Sequence, residues 1–329
     1  MYSLYGALAS PYSMKMRALL RYRRIPFEWV DGGAAREAQA KVRAPVIPVL
    51  EFPDGRFAND STPLIYELER LHAGRSVVPD DKAIAFLAHL LEDFADEWMT
   101  KPMFGYRWLE DVDQVQMSRW LAFDNLRGGG LETSQAAAEA FRERQVGRMG
   151  IVGCTRENFP LIEASARAVL DILESHVTDC FFLFGTRPSL AEFGLYGQLS
   201  QLGVDPTPQA MMRREYPYAY RWLSHMDDLS GVVGAWADQP SQAALALAKL
   251  SGEIYAPFLA ANAAALAAGE ETFAFSALGH EYSQSTFKYQ AKCLADLRQR
   301  YGALDTHQRK RVGEWIGDAW SELLAQDAG

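Results

Sequence analysis

Two serines at the start of a predicted helix are the residues of this sequence best placed to do chemistry. Ser10-Pro11-Tyr12-Ser13 follows a short apolar run, and a cap residue followed by proline is typical of a helix N-terminus. The free N–H groups and the dipole of a helix N-terminus stabilise an anion, to which a serine hydroxyl can donate a hydrogen bond. Ser10 is therefore a candidate anion-binding residue as well as a plain helix cap. Ser13, about one turn later, competes with it for that role.

A second set of candidate residues surrounds a predicted β-hairpin. Pro48 lies inside an apolar run over residues 46–52. Proline there removes a ladder hydrogen bond and is unusual in the middle of a sheet. The Ile47-Pro48 bond is then either cis or the trans bond of an edge strand. Asp60-Ser61 precedes another apolar helical pattern, and both residue types are preferred helix caps.

The elements that carry these residues form a mixed α/β pattern followed by helices. Residues 1–75 read as strand, helix and strand, and then as strand, strand and helix. A linker containing glycine, proline and aspartate covers about residues 73–81. From Lys82 onward the apolar periodicity is helical. This pattern predicts an all-helical domain over residues 82–240 and a helical extension over residues 241–329 packed on it.

Composition narrows the possible partners and the compartment. The formal net charge of -9 argues against nucleic acid or an anionic membrane as the main partner. We see no secretory signal and no stretch approaching the roughly 18 apolar residues of a membrane span. The three cysteines and six histidines are scattered, with no metal-ligand spacing. We therefore expect a cytoplasmic protein that holds no metal.

Four short motifs, taken in their order along the chain, resemble those of the glutathione transferases. The tetrad from Ser10 to Ser13 is similar to the glutaredoxin active-site tetrad with serine in place of both cysteines. Its first serine is similar to that of theta- and zeta-like transferases. Ile47-Pro48-Val49-Leu50 resembles the family's Val-Pro-Val-Leu segment, whose proline is cis. Asp60-Ser61 resembles the family's Glu/Asp-Ser pair, and Ser189-Leu190-Ala191-Glu192 resembles its Ser-x-x-Asp capping motif. The resemblance covers residues 1 to about 225.

The resemblance implies a fold and a chemistry at sulfur. The fold is an α/β thioredoxin-like N-terminal domain (βαβ-ββα), then an all-α C-terminal domain with extra C-terminal helices. Glutathione would bind the first domain as its thiolate, because only the thiolate attacks. Ser10 would donate a hydrogen bond to the sulfur, with Ser13 as the alternative. Tyr5 is a third candidate, since several transferase classes use a tyrosine at the end of the first strand, although a core strand aromatic also explains it.

The resemblance also implies contacts for the rest of glutathione. A cis Ile47-Pro48 bond would expose the backbone of Ile47 to pair with the cysteinyl part, as an added strand does. Ser61 would bind the γ-glutamyl carboxylate through its N–H and hydroxyl groups, and Asp60 would pair with the α-amino group. Val46 stands where many relatives have Lys or Gln, so that contact is not expected here.

The second substrate would be an electrophilic small molecule lying against the helical domain. Six residues in one early helical stretch either face the thiol or form an aromatic core with one solvated arginine: Asp93, Trp98, Met103, Tyr106, Arg107 and Trp108. Ser189 and Glu192 have capping-box spacing, which predicts the start of a buried structural helix.

The expected function is that of a glutathione transferase acting in detoxification, as a homodimer. Two alternatives remain open on the sequence. One is a non-catalytic glutathione-binding or regulatory protein. The other is a glutathione-dependent lyase, isomerase or dehalogenase. The long tail could reinforce the dimer interface, cover the active site or extend the helical core.

Overall fold

The structure is a computed structural model that describes residues 1–325. The N-terminal elements are β1 (Tyr2–Tyr5), α1 (Pro11–Arg23), β2 (Phe27–Val30), α2 (Gly33–Gln39), β3 (Val49–Glu51), β4 (Phe57–Asn59) and α3 (Ser61–Leu71). The elements that follow are α4 (Lys82–Glu97), α5 (Thr100–Leu109), α6 (Asp111–Asn125), α7 (Leu131–Val146), α8 (Phe159–His176), α9 (Leu190–Leu202), α10 (Pro206–Glu215), α11 (Pro217–Met226), α12 (Gln242–Ala268), β5 (Thr272–Ala277), β6 (His280–Ser285), α13 (Lys288–Gly302) and α14 (Thr306–Ala325).

The N-terminal strands form one sheet in the order β2-β1-β3-β4. The β1–β2 pair is parallel, which requires a crossover, and α1 supplies it. The other two pairs are antiparallel, and Gly55 has the positive φ, 84°, of a tight turn between β3 and β4. This topology confirms the predicted thioredoxin-like βαβ-ββα domain. The additional short helix α2 was not predicted, because its seven residues bury only Ala35 and Ala38 and show no helical periodicity.

The chain divides into two compact units, each assembled from three separate stretches. The first unit contains residues 1–77, 106–147 and 193–233. The second unit contains residues 78–105, 148–192 and 234–329. These units do not coincide with the three predicted sequence segments, because helical stretches distant in sequence complete each one.

In the first unit, polar contacts tie the N-terminal sheet domain to the chain around residue 229. The guanidinium of Arg75 lies over the ring of Tyr22 with a centroid distance of 4.5 Å. It donates hydrogen bonds at 3.1 Å to the carbonyl oxygens of Leu229 and Ser230. Because guanidinium groups satisfy several acceptors in one plane, this one side chain fixes both partners.

In the second unit, α12 is the central helix, packed against α4, α8, α13, α14 and β5. It is long and apolar enough to cross a membrane by length and composition, but 67% of its apolar window is buried inside the protein. That burial is typical of a core helix. Helix α12, which lies in the predicted extension, is therefore part of the core of the second unit.

The prediction that the tail is entirely helical is wrong at residues 272–285. β5 and β6 pair there as an antiparallel hairpin, with Ala277 opposite His280. The two turn residues, Leu278 and Gly279, both have positive φ, 49° and 77°, as a two-residue hairpin turn requires. Phe273 and Phe275, two positions apart and followed by Gly279, were the sequence signal for a strand and its turn.

Candidate functional site

The two serines at the start of α1 have different surroundings. Ser10 is the helix N-cap, and its hydroxyl oxygen accepts a hydrogen bond from the N–H of Ser13 at 3.3 Å. It keeps its own O–H proton to donate, and its side chain is partly exposed. Ser13 is completely buried, and its hydroxyl accepts from the N–H of Ala7 at 3.3 Å. Ser10 is therefore the more accessible hydroxyl at this helix N-terminus.

Gly6 makes the burial of Ser13 possible. A Cβ on Gly6 would lie 2.7 Å from the hydroxyl oxygen of Ser13 and 2.7 Å from the ring of Trp29. Only glycine allows this close approach between the end of β1 and the first turn of α1.

Tyr5, the third candidate, is held on the sheet. Its hydroxyl donates to Glu51 at 2.7 Å, and its ring lies 6.1 Å from that of Phe57. The hydrogen bond to Glu51 and burial both raise the pKa of the Tyr5 hydroxyl. These contacts agree with its interpretation as a strand aromatic.

The segment before β3 carries Ile47 and Pro48, and the peptide bond between them is cis. Asn59, at the end of β4, holds this segment through its side-chain amide. The amide nitrogen donates to the carbonyl oxygens of Ala44 at 2.6 Å and of Val46 at 3.3 Å. Sequence reasoning missed this role of Asn59, although its position beside the Asp60-Ser61 motif was visible.

Asp60 and Ser61 lie where α3 begins. Asp60 is the N-cap residue, and its φ of 77° lies in a region that residues other than glycine rarely adopt. Ser61 is buried, and its hydroxyl oxygen accepts a hydrogen bond from the ammonium of Lys15 at 3.1 Å. Lys15 lies on α1, so the two helices share a polar contact at the candidate carboxylate site. The sequence analysis did not single out Lys15.

Arg107 does not form the solvated charge proposed as one interpretation of the early helical stretch. It is buried, and its Nε donates to the carboxylate of Asp205 at 2.8 Å. One terminal nitrogen donates to the carbonyl oxygen of Ala9 at 2.8 Å, and the other donates to the side-chain oxygen of Gln201 at 2.9 Å. Burial raises the pKa of Asp205 to about 6, although the charge of Arg107 and its hydrogen bond act in the opposite direction.

A cleft of about 630 Å³ opens in the first unit beside the loop that precedes Ser10. Leu8 and Ala9 of this loop line it, as does Met14 of α1, one turn beyond Ser10. Helices α6, α9 and α11 contribute most of the other lining residues: Met117, Trp120, Phe123, Asp124, Tyr196, Ser200, Gln201, Tyr220, Leu223, Ser224 and Asp227. Trp120 and Phe123 are 48% and 60% exposed. A concave, largely apolar surface with a few polar groups is typical of a small-molecule site.

One end of the cleft carries a charged network around Asp227. Arg17 and Arg21 of α1 donate to its carboxylate at 2.9 and 2.8 Å, and the hydroxyl of Tyr196 donates at 2.9 Å. Burial opposes ionisation of Asp227, but the hydrogen bond and charge of Arg17 outweigh it and hold the pKa of this carboxyl below its ordinary value. The carboxylate is therefore ionised at neutral pH.

Within residues 1–325, no group of three or more His, Cys, Asp or Glu side chains could hold a metal ion. In the same range no disulfide bond is formed, and Cys154 is buried.

The fold and site define a thioredoxin-like domain whose first helix begins with serine beside an apolar cleft. Comparison with known proteins identifies the domain further, because residues 4–76 match the glutathione S-transferase N-terminal domain family. A plant relative, glutathione S-transferase U1 of Arabidopsis thaliana, is 24% identical over 243 residues, which are 70% of this chain and 86% of that protein. The match covers residues 4–76, so the N-terminal domain of this chain is similar to that of glutathione S-transferases.

Solved structures give more distant similarities. A glutathione S-transferase from Rhodospirillum rubrum is 18% identical, with a TM-score of 0.46, and the match covers 68% of this chain and 86% of that one. A glutathione S-transferase from Methylobacterium radiotolerans, solved in complex with glutathione sulfonate, is 19% identical with a TM-score of 0.41. That match covers 73% of this chain and 98% of the other.

Proposed function

We propose that the chain is a cytoplasmic glutathione transferase that binds glutathione on its N-terminal domain and directs the thiolate at an electrophile in the adjoining cleft. The observation that carries the proposal is the position of Ser10. Its partly exposed hydroxyl stands at the N-terminus of α1, and its neighbour Ala9 lines the 630 Å³ cleft. A donor at a helix N-terminus favours an anion, and the cleft beside it can hold an apolar reactant.

In this proposal different residues of the site contact different parts of glutathione. The Ser10 hydroxyl donates to the sulfur and favours the thiolate, while Ser13, buried beneath Gly6, supports the loop. The backbone of Ile47, before Pro48, pairs with the cysteinyl part. Asp60 binds the α-amino group, and Ser61 binds the γ-glutamyl carboxylate.

The reaction itself is a nucleophilic substitution or addition at the electrophile. The thiol proton leaves to solvent, and the thiolate sulfur forms a bond to the electrophilic carbon. In a substitution the leaving group departs with the bonding electron pair. Leu8, Met14 and Met117 supply apolar surface beside the sulfur position, while Trp120 and Phe123 supply flat surface for an aromatic electrophile.

Calorimetric titration with reduced glutathione tests the first half of the proposal. We expect binding in the millimolar range or tighter, weakened about tenfold in Ser61→Ala, because a hydrogen bond to a charged group is lost. Ser241→Ala is a matched control, since Ser241 also caps a helix but lies in the second unit. Absence of heat and of a thermal shift at high glutathione would contradict the proposal.

Turnover with simple electrophiles tests the second half. Measurable rates that fall in Ser10→Ala while glutathione binding persists are expected for a transferase. Binding without turnover across substitution, isomerisation and dehalogenation substrates would instead indicate a glutathione-binding protein that lacks catalysis.

A further inference from the structure

Lys15 is a fully buried cation at the candidate carboxylate site. It lies on α1, one turn after Pro11, and is 0% exposed. Its ammonium nitrogen is 3.1 Å from the hydroxyl oxygen of Ser61, the first residue of α3. A buried ammonium is unfavourable unless it is hydrogen-bonded, and the contact with Ser61 provides one such hydrogen bond.

The packing of α9 keeps the Lys15 side chain away from water. A Cβ on Gly197 would lie 3.1 Å from the Cβ of Lys15 and 2.8 Å from the carbonyl oxygen of Pro11. The absence of a side chain at Gly197 therefore lets α9 approach α1 closely and cover the lysine stem. Close packing fixes the ammonium in one place, which an exposed lysine would not achieve.

The direction of the hydrogen bond determines what Ser61 can do. An ammonium has only donors, so the Ser61 oxygen is the acceptor in this hydrogen bond and the Ser61 proton takes no part in it. A hydroxyl that accepts from a cation becomes a stronger donor, because hydrogen bonds in a chain polarise one another. The N-terminus of α3 adds positive character at the same place.

From this geometry we propose that Lys15 is a positioning residue that makes Ser61 a donor for the α-carboxylate of the γ-glutamyl group. The inference rests on the proposed glutathione site and extends it. Lys15 acts through Ser61 and does not touch the ligand. With Asp60 at the neighbouring position, the site offers a negative group to the α-amino nitrogen and a polarised donor to the α-carboxylate, which suits a zwitterionic amino-acid end.

The test compares two ligands on three proteins. The ligands are glutathione and 4-aminobutanoyl-cysteinylglycine, which lacks only the α-carboxylate. The proteins are the wild type, Lys15→Met and Lys15→Gln. Methionine removes both charge and donor, while glutamine keeps a neutral donor. Lys101→Met is the matched control, because Lys101 is also a buried ammonium but donates to Gln284 in the second unit.

We expect Lys15→Met to raise the Kd for glutathione about tenfold and to change the Kd for the analogue less than twofold. Lys15→Gln should lie between the wild type and Lys15→Met. Lys101→Met should leave the ratio of the two dissociation constants unchanged. This ligand dependence separates a positioning role from a structural one, because general loosening of the site would weaken both ligands together.

Equal weakening of both ligands in Lys15→Met would overturn the inference. Failure of both Lys15 variants to fold, judged by circular dichroism, would also overturn it, since Lys15 would then be a structural ion. A wild type that does not bind glutathione would instead refute the proposed function. A wild type that binds both ligands equally well would show that the α-carboxylate is not recognised, which refutes the role of Lys15 alone.

Discussion

The guanidinium of Arg107 donates a hydrogen bond at 2.8 Å to the carbonyl oxygen of Ala9, the residue immediately before Ser10. The same group is anchored by Asp205 at 2.8 Å. A side chain on α5 therefore fixes the backbone that presents the candidate catalytic hydroxyl. Since the chain at Ala9 belongs to a loop, this hydrogen bond replaces the rigidity that a strand or helix would provide.

We predict that Arg107→Lys lowers kcat at least tenfold, because an ammonium cannot reproduce the planar set of hydrogen bonds to Ala9, Asp205 and Gln201. Steady-state kinetics with a simple electrophile provide the measurement. Arg142→Lys is the control, since Arg142 pairs with Asp111, whose side chain is 88% exposed. Equal rates for Arg107→Lys and the wild type would show that the loop holds its position without this contact.

Ser10→Ala and Ser13→Ala should have different effects. Ser10→Ala removes the proposed donor to sulfur, so the pKa of bound glutathione should rise and kcat should fall about tenfold or more. Ser13→Ala should leave the thiolate population unchanged and lower stability by about 1 kcal/mol, because the partly buried Ala7 N–H loses its acceptor. Ultraviolet titration of bound thiolate and thermal melting give the two readouts. A reversed pattern would assign the thiolate contact to Ser13.

The aromatic side chains that line the cleft should affect binding of the electrophile and not binding of glutathione. We predict that Trp120→Ala raises KM for an aromatic electrophile about fivefold to tenfold and leaves the Kd for glutathione within twofold, because the indole lines the cleft. Tyr218→Ala is a suitable control, since Tyr218 is an exposed aromatic outside the cleft lining. A large change in glutathione affinity, with KM for the electrophile unaltered, would contradict this assignment of the cleft.

The second unit should become less stable as pH rises. Burial raises the pKa of Asp93 to about 8, with further increases from Glu92, Asp96 and Asp296, while the hydrogen bond from Tyr255 acts in the opposite direction. A carboxyl whose pKa is higher in the folded state than in the unfolded state stabilises the fold while it is protonated. This stabilisation is fully present below the pKa of the unfolded state, about 3.9. That stability is lost as pH rises through about 8.

Asp93→Asn should remove this dependence, because asparagine stays neutral and can still accept from the Tyr255 hydroxyl, 2.8 Å away in the parent protein. We predict little change in stability near pH 4 and a gain of about 2 kcal/mol near pH 9. Urea unfolding at a series of pH values is the measurement, with the exposed Asp318→Asn as control. Parallel stability curves for Asp93→Asn and the parent would contradict the prediction.

A homodimer remains our expectation for the quaternary structure. Light scattering should give twice the chain mass of 36.8 kDa. A value at the chain mass itself, at the concentrations used for kinetics, would contradict it.

The sequence predicted the N-terminal domain well because its signals are local. Ser10-Pro11 marks the start of α1, and the strands of this domain follow the predicted order. The predicted cis bond at Ile47-Pro48 is present. The capping box is also confirmed, since the N–H of Ser189 donates to the carboxylate of Glu192 at 2.9 Å.

The remaining features depend on contacts between distant parts of the chain. Lys15 and Ser61 are 46 positions apart, and Arg107 and Ala9 are 98 apart. No sequence period relates such pairs, and the sequence therefore gives no reason to single out Lys15. The β5–β6 hairpin could have been recognised from Phe273 and Phe275, which precede the turn at Gly279, but the long helical pattern on both sides of it prevailed.

The order in which the two units are completed follows from their arrangement along the chain. The first unit ends at residue 233, whereas the second also requires α12 to α14, which follow it in the chain. During synthesis, the proposed thiol site therefore has its full sequence while α12 is still inside the ribosome or not yet translated. The apolar faces of α4 and α8 that pack against α12 stay uncovered until α12 has been synthesised, so the second unit is the one exposed to early misassociation.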